Sequence, residues 1–98
     1  MAQFRVYRLP GGALVLDLQS DLVETGTRVV APLVPATAAL APITRLEPVF
    51  EIEGARLALH TGELAAVRAG LLRGKPVADL SEADYAIRGA LDMLFSGF

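Results

Sequence analysis

The chain has 98 residues, which fits a single domain over residues 1–98 and leaves no room for a second. Apolar residues make up 53% and the mean hydropathy is +0.47, which argues against a disordered chain. Lys and Arg total 9, Asp and Glu total 11, and there is 1 His and no Cys, so disulfide scaffolds, Cys-ligated zinc and multi-His metal sites are excluded.

The net charge of −2 lacks the basic surplus typical of non-specific nucleic-acid binding. No cofactor and no direct nucleic-acid binding are expected. The first residues, Met1-Ala2-Gln3-Phe4-Arg5, show no basic segment leading into an apolar run, so no signal peptide is expected. Phe4 to Leu9 is β-prone, and Pro10-Gly11-Gly12 breaks it with turn residues. Leu14, Leu16 and Leu18 alternate with Val15, Asp17 and Gln19, a period of two that predicts a strand with one buried face. The two runs and the turn between them predict a hairpin. Ser20 to Gly26 is polar and turn-like but carries Leu22 and Val23 together.

Val29 to Leu33 predicts a third strand, ended by prolines. The uncharged stretch Val29 to Thr44 includes Pro32, Pro35 and Pro42, and is too short and too broken to span a membrane. A soluble cytoplasmic protein is the expectation. Pro35 to Pro42 is Ala-rich and loose, with room for a short helical turn at most. Val49 to Ile52 and Ala55 to His60 flank Glu53-Gly54, which predicts a second hairpin. A symmetric register sets Phe50 opposite Leu57 and Glu51 opposite Arg56, one apolar pair and one of opposite charge. Val67 to Leu72 is a short apolar run of ambiguous type, closed by Gly74-Lys75-Pro76.

Ser81 to Phe95 is the clearest element, a helix. Ser81 suits the N-cap, with Asp84 three residues on. Asp84 and Arg88 are spaced for an i,i+4 ion pair. Leu80, Ala83, Ile87, Ala90, Leu91 and Leu94 share one side and must lie on the sheet. Gly89 lies on the far side and costs the helix about 1 kcal/mol relative to Ala, for which close approach of a neighbour is one explanation. Phe95 lies off the stripe beside Asp92, and Met93 lies off it the other way, with Tyr85 further round. One sheet contact cannot cover all three, so a second subunit over Tyr85 and Met93 is the simplest cover. The tail Phe95-Ser96-Gly97-Phe98 carries two aromatics, common binding anchors. A tail folded back onto its own core is the plainer alternative.

No strong catalytic signature is present. His60 reads as structural or surface, and Thr61 beside it makes no triad. Glu51 and Glu53 with Arg56 opposite read as a solvated face. The glycines at Gly11-Gly12 and Gly70 to Gly74 match no phosphate-binding loop. Arg68, Arg73 and Lys75 lack the interleaved aromatics of a nucleic-acid surface. These residues favour a binding module over an enzyme.

The whole chain resembles the CcdB family of bacterial toxins, which poison DNA gyrase. The matching stretches are Gln3-Phe4-Arg5-Val6-Tyr7, Asp17-Leu18-Gln19-Ser20-Asp21, Ala31-Pro32-Leu33, Pro48-Val49, Val77-Ala78-Asp79-Leu80-Ser81 and Asp92-Met93-Leu94-Phe95. The resemblance implies an α+β fold, mainly β with one C-terminal helix: an SH3-like barrel of antiparallel strands, as in the Kid and MazF toxins. It also implies a homodimer that binds the gyrase A subunit, traps the cleaved gyrase–DNA complex and does no chemistry of its own. A CcdA-like antitoxin would neutralise it, in a system such as those that maintain plasmids. By position, the gyrase contacts are Ser20, Leu22 and Val23 in the loop after the second strand. At the chain end they are Asp92, Phe95, Ser96, Gly97 and Phe98. Toxic members carry Trp-Gly-Ile where this chain has Ser96-Gly97-Phe98, and Asn where it has Asp92. Two alternatives stay open: a diverged member that binds antitoxin without poisoning gyrase, and an endoribonuclease of the related Kid and MazF fold. For the latter, Arg28 with Glu24 or Asp21 is the one local combination of groups, and surface ion pairing explains it more simply.

Overall fold

The computed structural model describes residues 2–37 and 42–98. Strands β1 (Arg5–Arg8) and β2 (Leu14–Asp17) form the first hairpin, with Val6 opposite Leu16 and Tyr7 opposite Val15. The Pro10-Gly11-Gly12 turn is closed by Leu9 N–H donating to the Ala13 carbonyl and Gly12 N–H to the Leu9 carbonyl. Phe4 stands outside the strand because its φ is +64°, a left-handed backbone that a strand cannot continue.

Strand β3 (Thr27–Pro35) is the spine of the molecule. All of its pairings are antiparallel: β2 on one edge, and on the other β6 (Ala65–Arg68) and then β5 (Ala55–Leu59). The strand runs through Pro32 and ends at Pro35, so only the second of its prolines stops it. Pro32 accepts a hydrogen bond from His60 N–H on the edge where the partner changes from β6 to β5. The N–H that proline lacks would point to that same gap in the ladder, which is why the residue is tolerated there.

Strand β4 (Val49–Ile52) completes the second hairpin with β5, in the expected register of Phe50 to Leu57 and Glu51 to Arg56. The ambiguous run resolves into the end of β6 and a 3-10 turn, Ala69–Leu71. Strand β7 (Ala78–Asp79) adds to β1, giving the order β4-β5-β3-β2-β1-β7 with β6 on β3. The sheet curls into a nearly closed antiparallel barrel, and helix α1 (Asp84–Ser96) packs on it. Among the described residues no helix is long and apolar enough to cross a membrane. Of the Ala-rich stretch, residues 38–41 lie outside the described residues.

The hairpin of β1 and β2 buries both faces, not one. Val6, Leu16 and Leu18 join Ala31, Leu33, Leu57, Leu59 and Ile87 in the main core. On the other face Tyr7 and Val15 meet Val30 and Leu72 in a second, smaller cluster. The period of two is real, but Leu72 and its loop cover the face that alternation alone assigns to water. Asp17 is also fully buried, and its partner is described below.

The helix stripe is as expected: Ile87 and Ala90 are fully buried, and Leu80, Ala83 and Leu91 pack against the main core. The helix start differs. Ser81 opens a 3-10 turn, Ser81–Ala83, and caps nothing with its side chain. Two residues ahead of it, Asp79 Oδ1 accepts the Ser81 N–H at 2.9 Å and so steadies the entry to this turn. The Asp84–Arg88 pair forms at 3.7 Å on the surface. At the far end Gly97, at φ +85°, returns its N–H to the Met93 carbonyl and stops the helix.

Candidate functional site

The β2–β3 loop starts where β2 ends on a buried carboxylate. Asp17 receives Arg28 Nε at 3.0 and 3.2 Å on its two oxygens, and Arg28 is itself buried. The same guanidinium continues outward, donating to the Gln19 carbonyl at 2.8 Å and to Asp21 Oδ1 at 3.0 Å. Asp21 Oδ1 also accepts the Gln3 N–H at 2.9 Å. Gln19 binds both sides of the loop, its Nε2 donating to the Val23 carbonyl and its Oε1 accepting the Val29 N–H. Two short bonds shape the tip: Leu22 N–H donates to Ser20 Oγ, and Val23 N–H to the Ser20 carbonyl.

Burial pushes the Asp17 carboxyl above its ordinary pKa, and hydrogen bonds from Arg28 and Gln19 pull it back only in part. For Arg28, burial acts downward, but the bonds and charges of Asp17 and Asp21 outweigh it and hold the guanidinium above its usual value. The two directions are compatible because Arg28 has two carboxylate partners and Asp17 has one cation. Arg28 is therefore a buried strut with Asp17 and Asp21 as partners, where the sequence suggested a surface ion pair with Asp21 or Glu24. A guanidinium held this way is a poor candidate for the cation of an RNA-cleaving groove.

From this braced loop Leu22 projects almost fully into solvent, at 96% exposure, with Val23 half exposed beside it. Ser20 is half-buried beneath them, spending its hydroxyl oxygen and its carbonyl on the tip.

The chain end is the second exposed apolar surface. Phe95 is 72% and Phe98 80% exposed, so the tail does not fold back into the core. Ser96 is the last helical residue and Gly97 the left-handed cap, which turns Phe98 back along the helix. Phe98 borders an open cleft of about 730 Å³ whose helix wall includes Tyr85, Arg88, Gly89 and Asp92. Thr44, Arg45 and Pro48 form the opposite wall, with Arg45 at φ +71°. Gly89 faces this open space: among the described residues, nothing beyond its own stretch of helix would lie within 4 Å of a Cβ there, so the close approach that would explain the glycine is not found among them. Tyr85 is 90% exposed and Met93 half-buried. Arg88 lies over the Phe4 ring, 5.2 Å from its centre.

The structure thus brings Asp92, Phe98 and Tyr85 to one cleft. The loop residue Val23 borders a separate hollow of about 210 Å³ together with Arg28 and Ala69. His60 is tied to Glu63 at 2.9 Å, beside the buried Thr61, whose hydroxyl donates to the Leu46 carbonyl. It holds a connection in place, as a structural residue would. Sequence reasoning missed the Asp17–Arg28–Asp21 chain. The available signal was an Asp inside an apolar strand, which at that position needs a buried cation.

The protein is a curled antiparallel sheet with one helix, and it carries exposed apolar side chains on a braced loop and at a helix end. Over residues 3–97, nearly the whole chain, it matches the family model described as CcdB protein. The chain belongs to the CcdB family, the toxins of toxin–antitoxin systems.

Proposed function

We propose that this protein is a gyrase-directed toxin. It binds the A subunit of DNA gyrase and traps the cleaved gyrase–DNA complex. It acts in the cytoplasm as a homodimer by binding an enzyme rather than by catalysis, and a CcdA-like antitoxin holds it in check. Ser20, Leu22 and Val23 of the loop and Asp92, Phe95, Ser96, Gly97 and Phe98 of the chain end contact gyrase. Tyr85 and Met93 contact the second subunit.

The observation that carries this reading is the exposure of both tail aromatics, Phe95 and Phe98, at the end of a helix that buries Ile87 and Ala90 against the sheet. Aromatic side chains left in water at a chain end serve as anchors for a partner. Purified protein, shown to be a dimer by sedimentation, is expected to inhibit gyrase supercoiling. Supercoiling unaffected at concentrations far above dimer formation contradicts the proposal.

A second reading is favoured by one residue. Ser96 is exposed in the last turn, at the position where toxic members carry Trp. A serine cannot supply the stacking and packing of an indole, worth about 0.5 to 2 kcal/mol over a cation. On this reading the protein binds antitoxin tightly and leaves growth normal on overexpression. Ser96→Trp then raises toxicity, and an unchanged growth phenotype counts against it.

A further inference from the structure

Asp21 is an exposed carboxylate tied to two other parts of the chain, and none of the contacts assigned to gyrase uses it. Its side chain is 57% exposed, yet one oxygen accepts two hydrogen bonds from different directions. One comes from the Gln3 backbone, just ahead of β1, and the other from Arg28 on β3. Arg28 in turn is fixed by the buried Asp17 at the end of β2. Asp21 therefore links the loop to the three strands around it, one residue before the almost fully exposed Leu22.

Leu22 reaches into solvent and Val23 is half exposed, so apolar packing gives this tip little hold and polar bonds fix its shape. Those at Ser20 are local, and Gln19 ties the loop to Val29 on β3. Asp21 adds the ties to the segment ahead of β1 and to the Arg28 side chain.

We infer that Asp21 is a positioning residue, which holds the β2–β3 loop in the one shape that presents Leu22 and Val23 to gyrase. The inference rests on the gyrase reading of that loop. Without Asp21 the loop samples other shapes, and affinity falls in proportion to the fraction that remains competent. Because the carboxylate is largely exposed, its loss costs the fold little.

The test uses the full chain with Asp21→Ala and Asp21→Asn, and reads amide hydrogen exchange at Leu22 and Val23 and binding to purified gyrase A subunit. Asp21→Ala is expected to speed exchange at both amides and to weaken gyrase binding about tenfold. The melting temperature should stay within about 5 °C of the parent. The Asn amide oxygen can still accept both bonds, so Asp21→Asn is expected to restore slow exchange and to bind within about threefold of the parent. Unchanged exchange in Asp21→Ala overturns the inference. So does an Asn variant as weak as the Ala variant despite slow exchange, because the carboxylate charge would then be acting on gyrase directly. If the parent chain itself fails to bind gyrase A, the gyrase reading falls, and the exchange measurements still decide whether Asp21 holds the loop.

Discussion

Asp17 and Arg28 form a buried ion pair whose chemistry makes a pH-dependent prediction. Removing one member of a buried pair leaves the other charge without compensation, at about 3 to 5 kcal/mol. Arg28→Ala is expected to destabilise by that order in urea unfolding at neutral pH. Asp17 already has its pKa raised, chiefly by burial. A raised carboxyl pKa means that the native state holds the proton more tightly than the unfolded chain does. Its contribution to stability is full below the ordinary value of 3.8 and is lost as pH rises through the raised native value. Without Arg28 the pKa climbs further. The Arg28→Ala deficit is therefore expected to shrink as pH falls from 7 towards 4, and a deficit that grows in acid contradicts the assignment. Asp79 behaves in the opposite sense. Its bonds to Ser81 hold the carboxyl below the ordinary range, so its support for the 3-10 turn ahead of α1 is lost only in strong acid.

At the scale of elements, the second hairpin is the clearest case of local sequence deciding local structure. Glu53 and Gly54 both have positive φ, at +52° and +79°, as the mirror-image turn of a two-residue hairpin requires. Gly54→Ala places a Cβ on the left-handed backbone at a cost of about 1 to 2 kcal/mol. The expected fall in melting temperature is about 4 to 8 °C for each kcal/mol, and an unchanged melting temperature would show that the turn can relax. This hairpin, the helix stripe and the first hairpin were legible in the sequence because each is specified by neighbours in the chain. Long-range features were not. The second buried face of β1 and β2 depends on Leu72, and Arg28 belongs to Asp17 only once β2 and β3 pair. The passage of β3 through Pro32 depends on which edge the missing N–H faces. The helix starts later than expected because Ser81–Ala83 form a 3-10 turn, whose first amide bonds to Asp79.

At the scale of the whole molecule, the barrel carries two apolar outcrops and an open cleft. The loop outcrop is Leu22 and Val23, held by the polar chain from Asp17 to Asp21. The tail outcrop is Phe95 and Phe98, held by the buried stripe of α1 and turned by Gly97. Family motifs made both visible as candidate contacts, since composition and periodicity could identify only exposed apolar residues. The motifs did not reveal what braces the loop, nor that Phe98 turns back towards Tyr85 and Asp92 across the cleft. The substitution of Ser96 for the family Trp leaves Phe95 and Phe98 as the aromatic surface of the tail.

The central claim is that this tail anchors the protein on gyrase during DNA cleavage. The most direct measurement mixes the purified protein with gyrase from its own host, plasmid and ATP, and releases trapped complexes with detergent and protease. A Phe98→Ala variant, confirmed as folded, runs beside it. The account predicts linear DNA with the parent chain and at least about tenfold less with the variant, the scale of an aromatic hot spot. No linear DNA with a folded parent dimer, or equal amounts from both chains, would contradict it.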